Sequence, residues 1–132
     1  MNKKTVLIVE DEMDMRIFIS TLLETSGYAP VATRDGKEGL IKAREVSPDL
    51  IILDVMMPGE GGVQMYRQLK SDQTLKAIPV IMLSAVAQKT FSHYLNMVNA
   101  RLDKPIPGPE AYIEKPPEAD DLLQMAARLI GE

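Results

Sequence analysis

Cysteine is absent from this chain, which removes disulfides, thiolate zinc sites and thiol catalysis in one step. Histidine occurs once, at His93, inside a helical stretch without a matching carboxylate pattern, and reads as an exposed or packed helix residue rather than a phosphotransfer group. Long apolar runs are also missing. The longest are strand-sized, far short of a membrane span, and Met1-Asn2-Lys3-Lys4 leads straight into a strand-like segment with no signal-peptide pattern. A cytoplasmic protein without membrane contact is expected. Basic clusters are lacking too: the net charge is -4 and Lys and Arg are scattered, so direct nucleic-acid binding is not expected. No Gly-x-Gly-x-x-Gly follows the first apolar run, which leaves dinucleotide binding without support.

What is present is an alternation of strand-like and helical segments over 132 residues with 45% hydrophobic content, enough for a single domain spanning 1–132. The pattern is that of an α/β protein built on a parallel sheet. Val6-Leu7-Ile8-Val9, Leu50-Ile51-Ile52-Leu53 and Val80-Ile81-Met82-Leu83 are uninterrupted apolar runs, as strands buried on both faces require. Tyr28 to Ala32 is weaker and contains Pro30, which places it at a sheet edge. Ala111-Tyr112-Ile113 is a short last strand. Helices are expected after Asp11, with Met15, Phe18, Ile19 and Leu22 inward, and from Asp35-Gly36, with Gly39, Leu40, Ala43 and Val46 inward. A third follows the glycine-rich turn Pro58-Gly59-Glu60-Gly61-Gly62 and turns Val63, Tyr66 and Leu69 inward. A fourth runs from about Gln88 to Met97, and a last from Glu118 to Ile130 with Leu122, Met125, Ala126 and Leu129 inward. Residues from about 98 to 110 contain Pro105, Pro107 and Pro109 and read as an irregular insertion. The nine methionines read mostly as core residues.

Polar residues close these strands. Glu10-Asp11-Glu12 follows the first, Asp54 ends the third, Ser84 ends the fourth and Lys115 follows the fifth. Singly, each has an ordinary explanation: an acidic helix cap, a turn carboxylate, a strand-ending hydroxyl, a solvated lysine. Jointly they do not, because the carboxyl ends of parallel strands lie on one edge, where ligands bind. Carboxylates gathered there repel one another, and a divalent cation is needed to keep them ionised together. Magnesium suits such a set, since it takes carboxylate and phosphate oxygens and keeps several waters. Asp54 is then a nucleophile toward a phosphoryl group, with Ser84 donating to one of its oxygens and Lys115 pairing with another.

With these residues in view, the chain resembles the response-regulator receiver domain over essentially its whole length. Val9-Glu10-Asp11-Glu12 looks like the acidic pocket, Asp54-Val55-Met56-Met57-Pro58-Gly59 like the phosphoacceptor turn, Ser84-Ala85 like the switch hydroxyl and its small neighbour, and Lys115-Pro116 like the lysine dipeptide. The resemblance implies a flavodoxin-like fold with sheet order 2-1-3-4-5. It also implies magnesium held by Asp11, Asp54 and the Met56 carbonyl, with Glu10 acting directly or through water. Tyr112, three residues before Lys115, matches the aromatic that turns inward when the hydroxyl moves to the phosphate. The implied function is a phosphoacceptor, charged on Asp54 by a sensor histidine kinase or phosphotransfer protein and regulating a downstream protein target, as a monomer or a phosphorylation-dependent dimer.

Two departures stand out. A second dipeptide, Lys104-Pro105, competes with Lys115-Pro116; Lys115 is preferred because it follows a strand and precedes an amphipathic helix. That choice lengthens the segment from Ser84 to the lysine and predicts an unusual output face. Met56 and Val86, two residues after Asp54 and Ser84, are apolar at positions that border the hydrolytic water's path in the family, which predicts slow self-dephosphorylation. A rival reading as an aspartate-nucleophile phosphohydrolase lacks the second acid that such enzymes carry at the position of Met56. A third, a pseudo-receiver that binds partners without phosphorylation, sits poorly with the complete acidic, hydroxyl and lysine set.

Overall fold

The apolar runs become strands because a central position in a parallel sheet exposes neither face to water. The computed structural model describes residues 3–55 and 62–131. Met56, and the expected turn at 58–62 apart from Gly62, lie outside the described residues. Strands β1 (Thr5–Val9), β2 (Ala29–Thr33), β3 (Leu50–Asp54), β4 (Val80–Ser84) and β5 (Ala111–Glu114) alternate with helices α1 (Met13–Thr25), α2 (Gly36–Val46), α3 (Gly62–Ser71), α4 (Gln88–Asn99) and α5 (Ala119–Ile130). All strand pairs are parallel, in the order β2-β1-β3-β4-β5. This is the flavodoxin-like arrangement expected from the sequence, with Pro30 on the edge strand β2.

The strand period of two divides the core. Leu7, Val9, Ile51, Leu53 and Met82 face Ala43 of α2, Met65, Tyr66 and Leu69 of α3, and Phe91 and Leu95 of α4. Val6, Ile8, Ile52, Ile81 and Leu83 face Ile19 and Leu23 of α1 and Leu122 and Ala126 of α5. Each fully buried aliphatic side chain contributes roughly 1.5–3 kcal/mol by leaving water, and this two-sided packing fixes where the strand ends fall.

Several helix faces differ from expectation. In α1, Ile19 and Leu23 are buried while Phe18 is 42% exposed. Met15, Ile19 and Leu22 pack inward as expected, and Leu23 joins them in place of Phe18, because neighbouring positions on a helix point about 100° apart and the apolar residues here are dense enough to fit more than one stripe. Val46 at the end of α2 is also exposed. Met65 and Met82 are core residues, but Met13 and Met97 stand in solvent at 60% and 56% exposure. Helix α4 continues to Asn99, past the expected end at Met97.

Residues 100–110 contain neither helix nor strand, so their backbone groups need other partners. Asn99 supplies two: its Nδ2 donates to the Ile106 carbonyl at 2.8 Å and its Oδ1 accepts from the Ile106 amide at 2.7 Å. The Tyr66 hydroxyl donates to the Pro107 carbonyl. Glu110 accepts from the Val80 amide at 2.7 Å and pairs with Lys70 at 3.2 Å. Ile106 is buried and Leu102 packs beside it against the core.

Gly39 shows how tightly α2 rests on the sheet. A Cβ there would lie 2.7 Å from Val9 Cγ2 and 3.0 Å from Met65 Sδ, and the branched valine on a central strand has no room to yield. Gly39→Ala is expected to lower unfolding stability by about 1–2 kcal/mol, because overpacking outweighs the helix-propensity gain of about 1 kcal/mol. Urea unfolding of the two proteins measures it, and a stabilised variant would refute the packing account.

Candidate phosphoryl and cation site

Parallel register brings the polar strand ends to one height. Val9 pairs with Leu53, so Glu10 follows beside Asp54, and Asp54 pairs with Leu83, so Ser84 stands one residue further along the neighbouring strand. Ser84 pairs with Glu114, and its carbonyl accepts from the Lys115 amide at 2.8 Å. Gly62 lets α3 begin against this edge, since a Cβ there would collide with the Asp54 carbonyl.

The side chains converge. Lys115 Nζ lies 3.0 Å from Glu10 Oε1 and 3.3 Å from Asp54 Oδ2. Glu10 is 1% exposed and Asp54 4%, so the ammonium joins two carboxylates that are almost wholly out of water. Oxygens of Glu10, Asp11 and Asp54 lie within 4.8 Å of one another, while Asp11 itself is exposed. The other Glu10 oxygen accepts from the Glu12 amide at 3.1 Å. Burial is the main force on Glu10, raising its pKa to about 7 against the Lys115 and Glu12 hydrogen bonds, with the Asp54 charge adding to the rise. At Lys115 burial pulls downward, but the hydrogen bond to Glu10 and the charges of Asp54 and Glu10 prevail and raise its pKa. Hard oxygen donors clustered in this way, with too little positive charge among them to keep Glu10 ionised easily, fit a small divalent cation.

Ser84 is fully buried and its Oγ accepts from the Val86 amide at 3.0 Å. Tyr112 donates its hydroxyl to the Val86 carbonyl at 2.5 Å, and its ring lies 5.7 Å from that of Phe91. Burial raises the Tyr112 pKa against a hydrogen bond from Ser84, and Glu114 adds to the rise. The structure thus brings Glu10, Asp11, Asp54, Ser84 and Lys115 to one edge, with Tyr112 reaching the turn that follows Ser84. Lys104 is exposed beside α3, lining a groove with Gln64 and Arg67. His93 is exposed on α4.

The architecture defines a doubly wound domain with a charged pocket at the carboxyl ends of its strands, and comparison with known proteins narrows that class. A family model described as the response regulator receiver domain matches residues 6–127. The polar-differentiation response regulator DivK of Brucella ovis is 37% identical over 130 residues, covering 98% of both chains. Among solved structures, the Vibrio cholerae chemotaxis protein CheY4 superposes with a TM-score of 0.81 at 26% identity, over 97% of this chain and 99% of that one. The receiver domain of a signal transduction histidine kinase from Syntrophus aciditrophicus gives 0.80 at 30% identity, over 97% and 90%. The chain belongs to the response-regulator receiver family of two-component signalling.

Two supporting residues were not read from the sequence. Arg16 Nη1 donates to the Glu10 carbonyl at 3.0 Å and the Asp11 carbonyl at 3.4 Å, holding the acidic loop from α1. Glu114 accepts from the Gln88 amide at 3.2 Å and serves the start of α4, where the N-cap Ala87 has no side chain to do so. Arg16 was detectable as a cation one helical turn after an acidic cluster; Glu114 left no local signal, because its partner is 26 residues away.

The Glu10 environment gives stability a definite pH dependence. Its carboxyl titrates near 7 folded against an ordinary value of 4.5. The native state therefore binds more protons between those values, and stability falls as pH rises through that window. In metal-free buffer, Glu10→Gln is expected to match the wild type near the lower value and to exceed it above the upper one, by on the order of 2 kcal/mol. Denaturant unfolding across the range reads the difference; a variant less stable than wild type at the alkaline end would contradict the assignment.

Proposed function

We propose that this receiver accepts a phosphoryl group on Asp54 from a phosphohistidine of a sensor kinase or phosphotransfer protein, and that the acyl phosphate resets the β4–α4 turn to regulate a protein target. The observation that carries this reading is the Lys115 ammonium held between Glu10 and Asp54 at 3.0 and 3.3 Å in a buried pocket. A carboxylate that is only a turn residue would face water.

An Asp54 oxygen attacks phosphorus, the P–N bond to the donor imidazole breaks with its electron pair leaving on nitrogen, and an O–P bond forms. Lys115 then pairs with a phosphoryl oxygen, and the Ser84 hydroxyl donates to another. Asp11 and Asp54, with Glu10 beside them, would hold a magnesium ion, with the Met56 carbonyl as a further donor by family resemblance, and the ion when bound would supply positive charge for the phosphoryl oxygens. If Ser84 turns to the phosphate, the Val86 amide loses its acceptor, and Tyr112 is freed from the Val86 carbonyl to follow inward. Residues 98–110 belong to the same single domain on this reading, as a remodelled output side rather than a separate unit. Among the described residues, no helix is long and apolar enough to cross a membrane.

Incubation with acetyl phosphate and magnesium, read by intact mass, is expected to add one phosphoryl group to wild type and none to Asp54→Asn. Labelling of Asp54→Asn would refute the assignment. Val86 lies beside the pocket at 37% exposure and has no group to orient water, so the phosphorylated form is expected to persist for minutes or longer once the donor is removed. Decay within seconds would disprove the slow-hydrolysis reading while leaving Asp54 as the acceptor.

A further inference from the structure

Residues 100–110 do more than bridge α4 to β5. Leu102 and Ile106 form the floor of a groove between α3 and α4. Tyr94 and Met97 stand along its α4 wall at 42% and 56% exposure. Positions 94, 97 and 101 fall on one side of the helix and its continuation, and Arg67 faces them from α3. Arg67, Arg101 and Lys104 are exposed and, among the described residues, enter no ion pair. Only Asp103 opposes them in the lining. In a chain of net charge -4, three free cations around an apolar trough are a local reversal of sign.

We propose that this groove docks an acidic amphipathic segment of a partner protein, its apolar ridge on Tyr94, Met97 and Leu102 and its carboxylates on Arg67, Arg101 and Lys104. Charge selects the occupant: a neutral or basic helix gains nothing from the rim, whereas an acidic one is drawn in and oriented by it. The floor is preorganised. The paired Asn99–Ile106 hydrogen bonds, the Tyr66–Pro107 bond and the burial of Ile106 hold the connection in place before anything binds, which lowers the ordering cost of association. A second copy of this chain is the less suitable occupant. Its acidic residues at the start of α5, Asp120 and Asp121, would meet the groove head to tail, which gives a ring or an open filament rather than a two-fold dimer.

Docking does not require phosphorylation, so Asp54→Asn serves as the test protein and isolates docking from acyl-phosphate chemistry. The probe is a synthetic helical peptide with leucine at i, i+3, i+4 and i+7 and glutamate elsewhere, titrated into isotope-labelled protein. Amide shifts are expected to concentrate on Tyr94, Met97 and Leu102, to weaken with added salt, and to lose about tenfold in affinity in Arg67→Glu/Arg101→Glu. Lys89→Glu, an exposed change elsewhere on α4, is expected to bind as the parent does. Circular dichroism checks that both variants remain folded. Equal binding by the double reversal, shifts centred on another face, no binding at millimolar peptide, or self-association abolished by the double reversal would each overturn it.

Discussion

The Lys115 ammonium shared by Glu10 and Asp54 is the interaction on which the site depends. Two carboxylates at 1% and 4% exposure are brought together by strand register, and the core on both sides of the sheet prevents them from moving apart. One cation between them satisfies the geometry but not the charge: Glu10 remains easier to protonate than a solvated carboxyl, and desolvation is the larger cause. Removing the ammonium would leave uncompensated buried charge, which costs several kcal/mol in comparable settings. The pocket is thus maintained by the fold against its own electrostatics. That imbalance leaves the pocket short of positive charge, which the proposed cation would supply.

The strand ends were legible because burial on both faces leaves an unmistakable mark: four apolar residues in succession, then a carboxylate or hydroxyl. The same logic separated Lys115 from Lys104. A short strand with its own register precedes Lys115 and aims it at the pocket, whereas Lys104 belongs to a segment without a ladder. Helix faces were less legible. In α1 the apolar residues occur at Met13, Met15, Ile17, Phe18, Ile19, Leu22 and Leu23, dense enough that more than one stripe fits, and only packing against β1 and β2 excludes Phe18. What sequence could not disclose were contacts of one residue with a distant backbone. Asn99 with Ile106, Tyr66 with Pro107 and Glu114 with Gln88 are all bonds to main-chain groups, and the identity of the residue that supplies the accepting carbonyl or donating amide leaves almost no trace in the sequence.

Three bonds tie α4 to the site on the proposed switching scheme. Its N-terminal end is attached to β5 by the Glu114 carboxylate and by the Tyr112 hydroxyl on the preceding turn, and Ser84 holds the Val86 amide of that turn. Net, the two neutral bonds contribute about 1 kcal/mol each and the carboxylate bond about 2, together no more than the burial of Phe91 and Leu95 that keeps the helix on the sheet. The N-terminal attachment can therefore be exchanged for another arrangement without loss of the fold, provided that Ser84 gains a partner of comparable strength. A phosphoryl oxygen is such a partner, because hydrogen bonds to charged acceptors are about twice as strong as neutral ones.

At the other end α4 is held differently. Asn99 closes two hydrogen bonds onto Ile106, and Ile106 is itself buried, so the last turn and the connection to β5 act as one body with α3 through Tyr66 and Lys70. On the proposed switch, a rearrangement beginning at residues 84–88 would meet this anchored end, and a tilt or rotation of the helix would let it proceed with those bonds intact. Tyr94 and Met97 lie on that intermediate length. The groove they wall thus sits between the two ends, and if the turn and the groove are coupled, a partner bound there would bias the turn beside Ser84 by the same free energy with which that turn biases the partner.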